Sequence, residues 1–286
     1  MRFLRQPVVF VTGKGGVGKS SVAAALARAE ADRSGQAILV EFEDAAGASR
    51  ALGPEADGVT PLVVEYLDAL SHAIASMLGS RLLGKLVVKQ RTLKKVIQAV
   101  PAVRELVALD RVRSLRTETP SARVFVDLPA TGHAVDWLRV PAAAERFLKV
   151  GPAAKMCRAI QDEILPADKS ALVVVSTAEP VVASETRELV FRLVRELGRS
   201  PDLVVVNRVP RKPSPSELEH AERAAARDPA FEPLAHALRE DAELGADALL
   251  ALTALDGISS AKIVEIPELY RDPRPRELAR HLGAAG

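Results

Sequence analysis

A chain of 286 residues, 48% hydrophobic and 27% charged, has an ordinary globular composition and is long enough for one large α/β domain, or one with a helical appendage. Its net charge of +2 excludes bulk attraction to nucleic acid, and no specific nucleic-acid partner is expected. A lone cysteine, Cys157, excludes a disulfide framework and any cysteine-pair metal site within one chain.

The opening MRFLRQP leads into an apolar run too quickly for a secretory signal, which favours a cytoplasmic protein. Val8 to Val11 reads as a short buried strand, and Ala23 to Arg33 is alanine-rich and helix-forming. Between them G-K-G-G-V-G-K-S, residues 13–20, satisfies the phosphate-binding pattern G-x-x-x-x-G-K-[ST] in full. Gly13, Gly15, Gly16 and Gly18 let the backbone turn its N–H groups inward around phosphate oxygens, with Val17 and Ser21 completing the contact stretch. A helix starting near Lys19 adds its positive dipole end. Lys19 is the expected partner of the β- and γ-phosphates, and the Ser20 hydroxyl the expected ligand of Mg²⁺. A glycine-rich turn without a ligand would need neither the strand, the helix nor the Lys-Ser pair.

Ala37 to Phe42 reads as a second strand ending in the acidic cluster Glu41, Glu43 and Asp44, followed by a small-residue loop from Ala45 to Gly53. In open parallel sheets ligands sit beyond the carboxyl ends of strands, so one of these carboxylates is placed to orient an attacking water. Thr60 to Leu115 is expected to be helical, with breaks near Gly79–Ser80 and at Pro101. Its apolar run from Leu62 to Gly79 contains Glu65, Asp68 and His72, so nothing here offers the ~20 uncharged apolar residues of a membrane span. Arg81 to Arg116 holds ten Lys or Arg against only Glu105 and Asp110. That basic stretch is either a solvated face or an attraction for an acidic partner or an anionic membrane surface.

Arg123 to Leu128 is a buried-strand run ending in Asp127, which fits the Walker B carboxylate of a Mg²⁺ site. Ser170 to Thr177 and Asp202 to Asn207 are further strands, and Pro180 marks a helix start. Arg211 to Pro215 is a polar linker, Glu217 to Leu252 is helical, Ala261 to Ile266 is a last short strand, and Arg274 to Leu282 a closing helix.

The early lysine of K-G-G-V-G-K-S, Lys14, resembles that of the deviant phosphate loop shared by dimeric ATPases, among them MinD, ParA, the nitrogenase iron protein and the arsenite-pump ATPase. The stretch from Asp127 to Pro141, DLPATGHAVDWLRVP, resembles the arsenite-pump ATPase family more closely, which includes the ATPase that targets tail-anchored membrane proteins. That family carries D-T-A-P-T-G-H, a short apolar helix and a Leu-x-x-Pro ending. Thr131, Gly132, His133 and Pro141 match, whereas Leu128, Pro129 and Ala130 depart.

The resemblance covers most of the chain. It implies an α/β P-loop NTPase with a mostly parallel sheet flanked by helices, as a single domain over 1–286. Within it, 60–116 is an inserted helical subregion between switch I and Walker B, and 211–286 a C-terminal helical and adenine-loop part. ATP and Mg²⁺ are the implied cofactors. Lys14 is implied to reach the nucleotide of a partner subunit, in a homodimer or a heterodimer with a paralogue. Asp44 is implied to position the hydrolytic water, although Asp44-Ala45-Ala46-Gly47 lacks the family's proline and histidine. Thr131, Gly132 and His133 are implied to form switch II, Asn207 to read adenine, and Pro267 to begin the loop that covers it. Ser184 to Arg187 resembles the family's E-T-x-R helix start.

Three family features are missing: a C-x-x-C zinc staple, a methionine-rich client helix after switch II, and the cysteines of an arsenite site. The expected protein is a slow dimeric ATPase whose hydrolysis changes its hold on an unknown protein client. The alternatives are a nucleotide-gated scaffold that hardly hydrolyses, and a positioning ATPase like MinD or ParA, peripheral at the membrane. The tail offers only Leu278, Ala279 and Leu282 as an apolar face for such attachment.

Overall fold

The computed structural model describes residues 4–42, 47–79, 101–129, 134–256, 261–269 and 273–284. Their frame is one parallel sheet of seven strands: β1 Val8–Gly13, β2 Ala37–Phe42, β3 Val59–Val64, β4 Arg123–Asp127, β5 Ser170–Thr177, β6 Leu203–Val209 and β7 Lys262–Pro267, in the order β3-β2-β4-β1-β5-β6-β7. Every neighbouring pair is parallel. β1, β2 and β5 are buried along their whole length, as their continuous apolar runs require of strands covered on both faces. Helices α1 Lys19–Ser34, α2 Gly47–Leu52 and α10 Pro275–Ala284 lie on one face, and α3 Tyr66–Leu78, α4 Pro101–Glu118, α5 Ala134–Phe147, α6 Pro152–Glu163 and α7 Pro180–Leu197 on the other. α8 Pro215–Arg227, a short 3₁₀ turn and α9 Glu232–Asp256 form the connection between β6 and β7. The architecture is the α/β layer arrangement that the phosphate-loop pattern implies.

Several boundaries differ from the sequence expectations. Val59–Val64 is a strand, not the first turn of a helix. β3 is an edge strand, where Pro61 breaks no ladder on its outer side and Thr60 and Pro61 face solvent. The helix begins only after Glu65 and ends at left-handed Gly79. Among the described residues α4 begins at Pro101, where a break was expected. Pro141 does not end α5. The helix runs on to Phe147 with Pro141 buried inside it, so the Trp137 carbonyl loses its usual i+4 donor. α8 starts before Glu217, because Ser214 and Glu217 close a capping box around its first turn.

The basic stretch divides. Arg81, Lys85, Lys89, Arg91, Lys94 and Lys95 lie outside the described residues. Those on α4 are held within the fold: Arg104 lies 5.2 Å from the Tyr66 ring and Arg111 2.8 Å from Glu118. Arg113 sits between Asp110 and Glu163, and Arg116 donates to the Ala122 carbonyl at 2.6 Å. At the chain's end, Leu278 and Leu282 of α10 are buried against the α1 side of the sheet. The apolar face that a membrane anchor would need is already used. None of the described helices is long and apolar enough to cross a membrane.

Glu30 ties α1 to the start of β4. Its carboxylate, only 4% exposed, accepts from Arg33 at 2.7 Å and from Arg123 at 2.8 Å. Burial pushes this carboxyl up, but the hydrogen bonds from Arg33 and Arg123 outweigh it and hold the group below its ordinary value. Its stabilisation is therefore present at neutral pH and is lost as pH falls through the lowered folded value. Glu30→Gln should cost about 2 kcal/mol at pH 7, in the range for hydrogen bonds to charged groups. Denaturant melts should show that deficit shrinking below pH 4.5, the ordinary value from which the group is displaced.

Candidate functional site

The sheet order reverses about its centre. From β1 the chain moves outward to β2 and β3, and after β4 it returns past β1 to β5, β6 and β7. That reversal brings the carboxyl ends of β1 and β4 side by side, where Val11 pairs with Asp127. Residues 13–20 leave β1 there and wrap into α1. Gly15 and Gly16 are exposed, Val17 is buried, and Gly18 caps the helix with φ of 93°. A Cβ at Gly18 would lie 2.4 Å from Nδ2 of Asn207, so both its φ and its surroundings demand glycine.

Lys19 is 6% exposed, with its Nζ 3.3 Å from the Lys14 carbonyl. Burial holds its ammonium below its ordinary value, and the nearby Asp127 charge acts against this. The Ser20 hydroxyl donates to Oδ2 of Asp127 at 2.6 Å. Oδ1 of the same carboxylate is buried with no hydrogen-bond partner among the described residues. Burial pushes Asp127 up to about 6; the Ser20 hydroxyl and Lys19 pull it down, and Glu41 adds to the rise. A buried carboxylate with one free oxygen beside a serine hydroxyl is an all-oxygen donor set, which fits a hard divalent cation such as Mg²⁺.

Of the acidic cluster, only Glu41 falls among the described residues, and it has another task. It is fully buried and accepts the backbone N–H groups of Ala48 and Ser49, the latter at 3.0 Å, at the start of α2. Gly47 packs so tightly there that a Cβ would come within 2.8 Å of the Ser20 hydroxyl. Glu43 and Asp44 lie outside the described residues, as do Thr131, Gly132 and His133. Their flanks are placed: Phe42 ends β2 and Trp137 lies in the first turn of α5, with ring centroids 4.8 Å apart.

On the far side of the loop, Asn207 ends its buried course in β6 and donates through Nδ2 to the Val17 carbonyl at 2.9 Å. A cavity of about 410 Å³ opens beside it, lined by Gly18, Ser21, Asn207, Arg208 and Pro267. The structure thus brings Asn207 and Pro267 to the same opening. Lys14 lies outside the nucleotide cradle, in an ion pair with Glu185 of α7 at 2.5 Å, both side chains 45% exposed. Arg208, the one non-glycine residue of positive φ in the described chain, was not singled out by sequence reasoning. Neither the Glu41 cap nor the Lys14 partner has a motif; both depend on residues brought together by the fold.

Residues 6–164, more than half of the chain, match the family model described as the anion-transporting ATPase. The chain belongs to that family. This anion-transporting ATPase family member is similar to the ATPase BagA of Mycobacterium tuberculosis, 24% identical over 232 residues that cover 74% of this chain and 68% of that protein. It is also similar to the arsenical pump-driving ATPase of Escherichia coli, 25% identical over 173 residues covering 55% of this chain and 30% of that protein. With the phosphate loop built on β1 and α1, it is a P-loop ATP-hydrolysing enzyme. Cys157, the one cysteine, is fully buried, and burial raises its thiol above the ordinary value.

Because an acid raised by burial destabilises the folded state once ionised, the metal- and nucleotide-free ATPase should lose stability as pH rises from 3.8 toward about 6. Asp127→Asn should therefore raise its melting temperature at pH 7.5, by an amount equivalent to about 3 kcal/mol at most. The advantage should vanish near pH 4, and Mg²⁺ with ATP should no longer stabilise the variant as it does the parent. Calorimetry with and without Mg²⁺ and ATP checks both signs.

Proposed function

We propose that the protein is an ATP-driven dimeric switch that binds and releases a protein partner, and that Mg²⁺ is its cofactor. The observation that carries the nucleotide and Mg²⁺ part of this reading is the Ser20–Asp127 contact, with one carboxylate oxygen left for a cation. The backbone N–H groups of 13–20 and the α1 dipole hold the phosphates, and Lys19 neutralises their charge. Ser20 and Asp127 hold Mg²⁺, which supplies charge stabilisation at the transferring phosphate. Asp44, in the short segment between Phe42 and Gly47, orients the water and takes its proton. Asn207 keeps one amide proton on Val17 and would offer Oδ1 to the adenine amino group, in the cavity that Pro267 also lines.

Lys14 is the hinge of the dimer reading. A half-exposed ion pair such as Lys14–Glu185 contributes only about 0–1 kcal/mol, so the lysine is released at little cost. In the closed dimer, with a second copy or a paralogue, it exchanges Glu185 for the phosphates of the opposite nucleotide. Thr131, Gly132 and His133 sense the γ-phosphate and move α5. The Phe42–Trp137 contact supports coupling between that movement and the loop bearing Asp44. The basic residues of 81–100 would attract an acidic partner or an anionic membrane surface.

Lys19→Ala should reduce ATP hydrolysis about a hundredfold or more, since it removes a charge that acts on the transition state. Asp44→Asn should retain ATP while losing turnover; an unchanged rate would move the water-positioning role elsewhere. Light scattering should show the mass double with a non-hydrolysable ATP analogue in the parent but not in Lys14→Ala. A mass independent of nucleotide in both would sink the switch. Trp137 is the one tryptophan, so its emission should shift with the analogue and stay constant in Lys19→Ala.

A further inference from the structure

A second cavity lies at the opposite end of the sheet from the phosphate loop. It has a volume of about 450 Å³ and opens between the C-terminal half of α5, the end of α6, the loop into β5 and the end of α7. Its walls include Leu138, Leu165, Leu172 and Leu197. The space exists because α5 presents Ala142 and Ala143 there, one turn beyond Leu138 and Arg139, and neither alanine reaches across.

The charges at this cavity are unbalanced. Arg139, Arg146 and Arg199 line it against one carboxylate, Glu196. Glu196 is already occupied by Arg139, by Arg192 at 3.1 Å and by Arg195 at 3.2 Å. Gln161 turns its amide away to Glu145 at 2.7 Å. Arg199 is 15% exposed and satisfies its guanidinium with neutral groups: the Leu165 carbonyl, the Ser170 carbonyl at 2.7 Å and the Ser170 hydroxyl at 3.0 Å. Its nearest carboxylate, Asp202, is 3.8 Å away and itself accepts from the Leu172 amide. Burial accordingly holds Arg199 below its ordinary value. Arg146 is exposed at the rim and makes no ion pair among the described residues.

A desolvated cation whose partners are mostly neutral attracts an anion, and leucine walls exclude a strongly hydrated one. We propose that this cavity binds a small organic carboxylate with a hydrocarbon body, its carboxylate at Arg146 and toward Arg199, its chain against Leu138, Leu165, Leu172 and Leu197. The volume falls within the range of small-molecule sites, and apolar walls with a few convergent charged groups are their usual lining. The site shares no lining residue with the phosphate loop or with the cavity beside Asn207.

Decanoate is the probe, titrated calorimetrically into the full chain, with decanol as the neutral molecule of the same length. One decanoate should bind per chain, and decanol at least about tenfold more weakly, the difference reporting a charge-assisted contact. Arg146→Glu should weaken decanoate about tenfold or more, and Ala143→Leu, which fills the cavity, should abolish binding. Both positions are exposed on a helix, so neither substitution disturbs the core. Absence of decanoate binding, equal binding of decanol, or undiminished affinity in both variants would each overturn the proposal.

Discussion

Asp127 is buried, has one oxygen on the Ser20 hydroxyl and has the other without a partner among the described residues. A carboxylate kept in that state is unfavourable by itself, and the raised value of about 6 expresses the cost. Much of the architecture serves to keep it there. The parallel pairing of β1 with β4 sets Asp127 at the level of Val11, two residues before the phosphate loop begins. Glu41 anchors the start of α2, and Gly47 brings that helix against Ser20. The Asn207 amide clasps the loop from the other side through Val17. Four strands and two helices thus converge on one buried carboxylate that a divalent cation would relieve.

The surroundings are built for contrast in strength. Within the cradle, Lys19 is buried and Gly18 cannot carry a side chain without striking Asn207. Just outside it, Lys14 is held by an exposed pair that solvent screens and that a better partner can replace. A rigid centre with an easily exchanged rim is compatible with the proposed nucleotide-dependent dimer. Behind it, α5 runs from the end of segment 130–133 to the far side of the sheet, passing Pro141, where a missing backbone donor weakens the helix. Asp136 and Arg139 link it to α7 through Arg192 and Glu196. The proposed anion cavity lies on the distal half of this helix.

How much could be read in advance depended on how local the physical signal was. β2 and β5 have the bounds expected from their runs of β-branched and aliphatic residues, because burial on both faces leaves a continuous apolar signature. β3 was hidden: Val-Thr-Pro-Leu-Val-Val has a proline and an uneven pattern that only an edge strand tolerates, and a chain does not announce which strand will be the edge. Pro141 was expected after the helix because the family's short apolar helix ends in Leu-x-x-Pro, yet burial of Val135 and Leu138 before it holds the helix together through the break. The basic run suggested an open charged face, but the α4 part is spent on carboxylates of α4 itself and of α6, the Ala122 carbonyl and the Tyr66 ring of α3.

By itself the sequence determined the phosphate loop, its strand and helix, and the family. These are encoded in contiguous residues whose backbone demands are local, so glycine spacing and apolar runs suffice to state them. Only the tertiary structure decided that Glu41 caps α2, that Lys14 rests on Glu185, and that Asn207 holds the loop through Val17. Likewise it decided that three arginines from α5 and the end of α7 share a cavity with four leucines. Such contacts join residues up to 190 positions apart, as for Asn207 and Val17. Their energies come from burial and charge at a place that exists only once the sheet order brings the elements together.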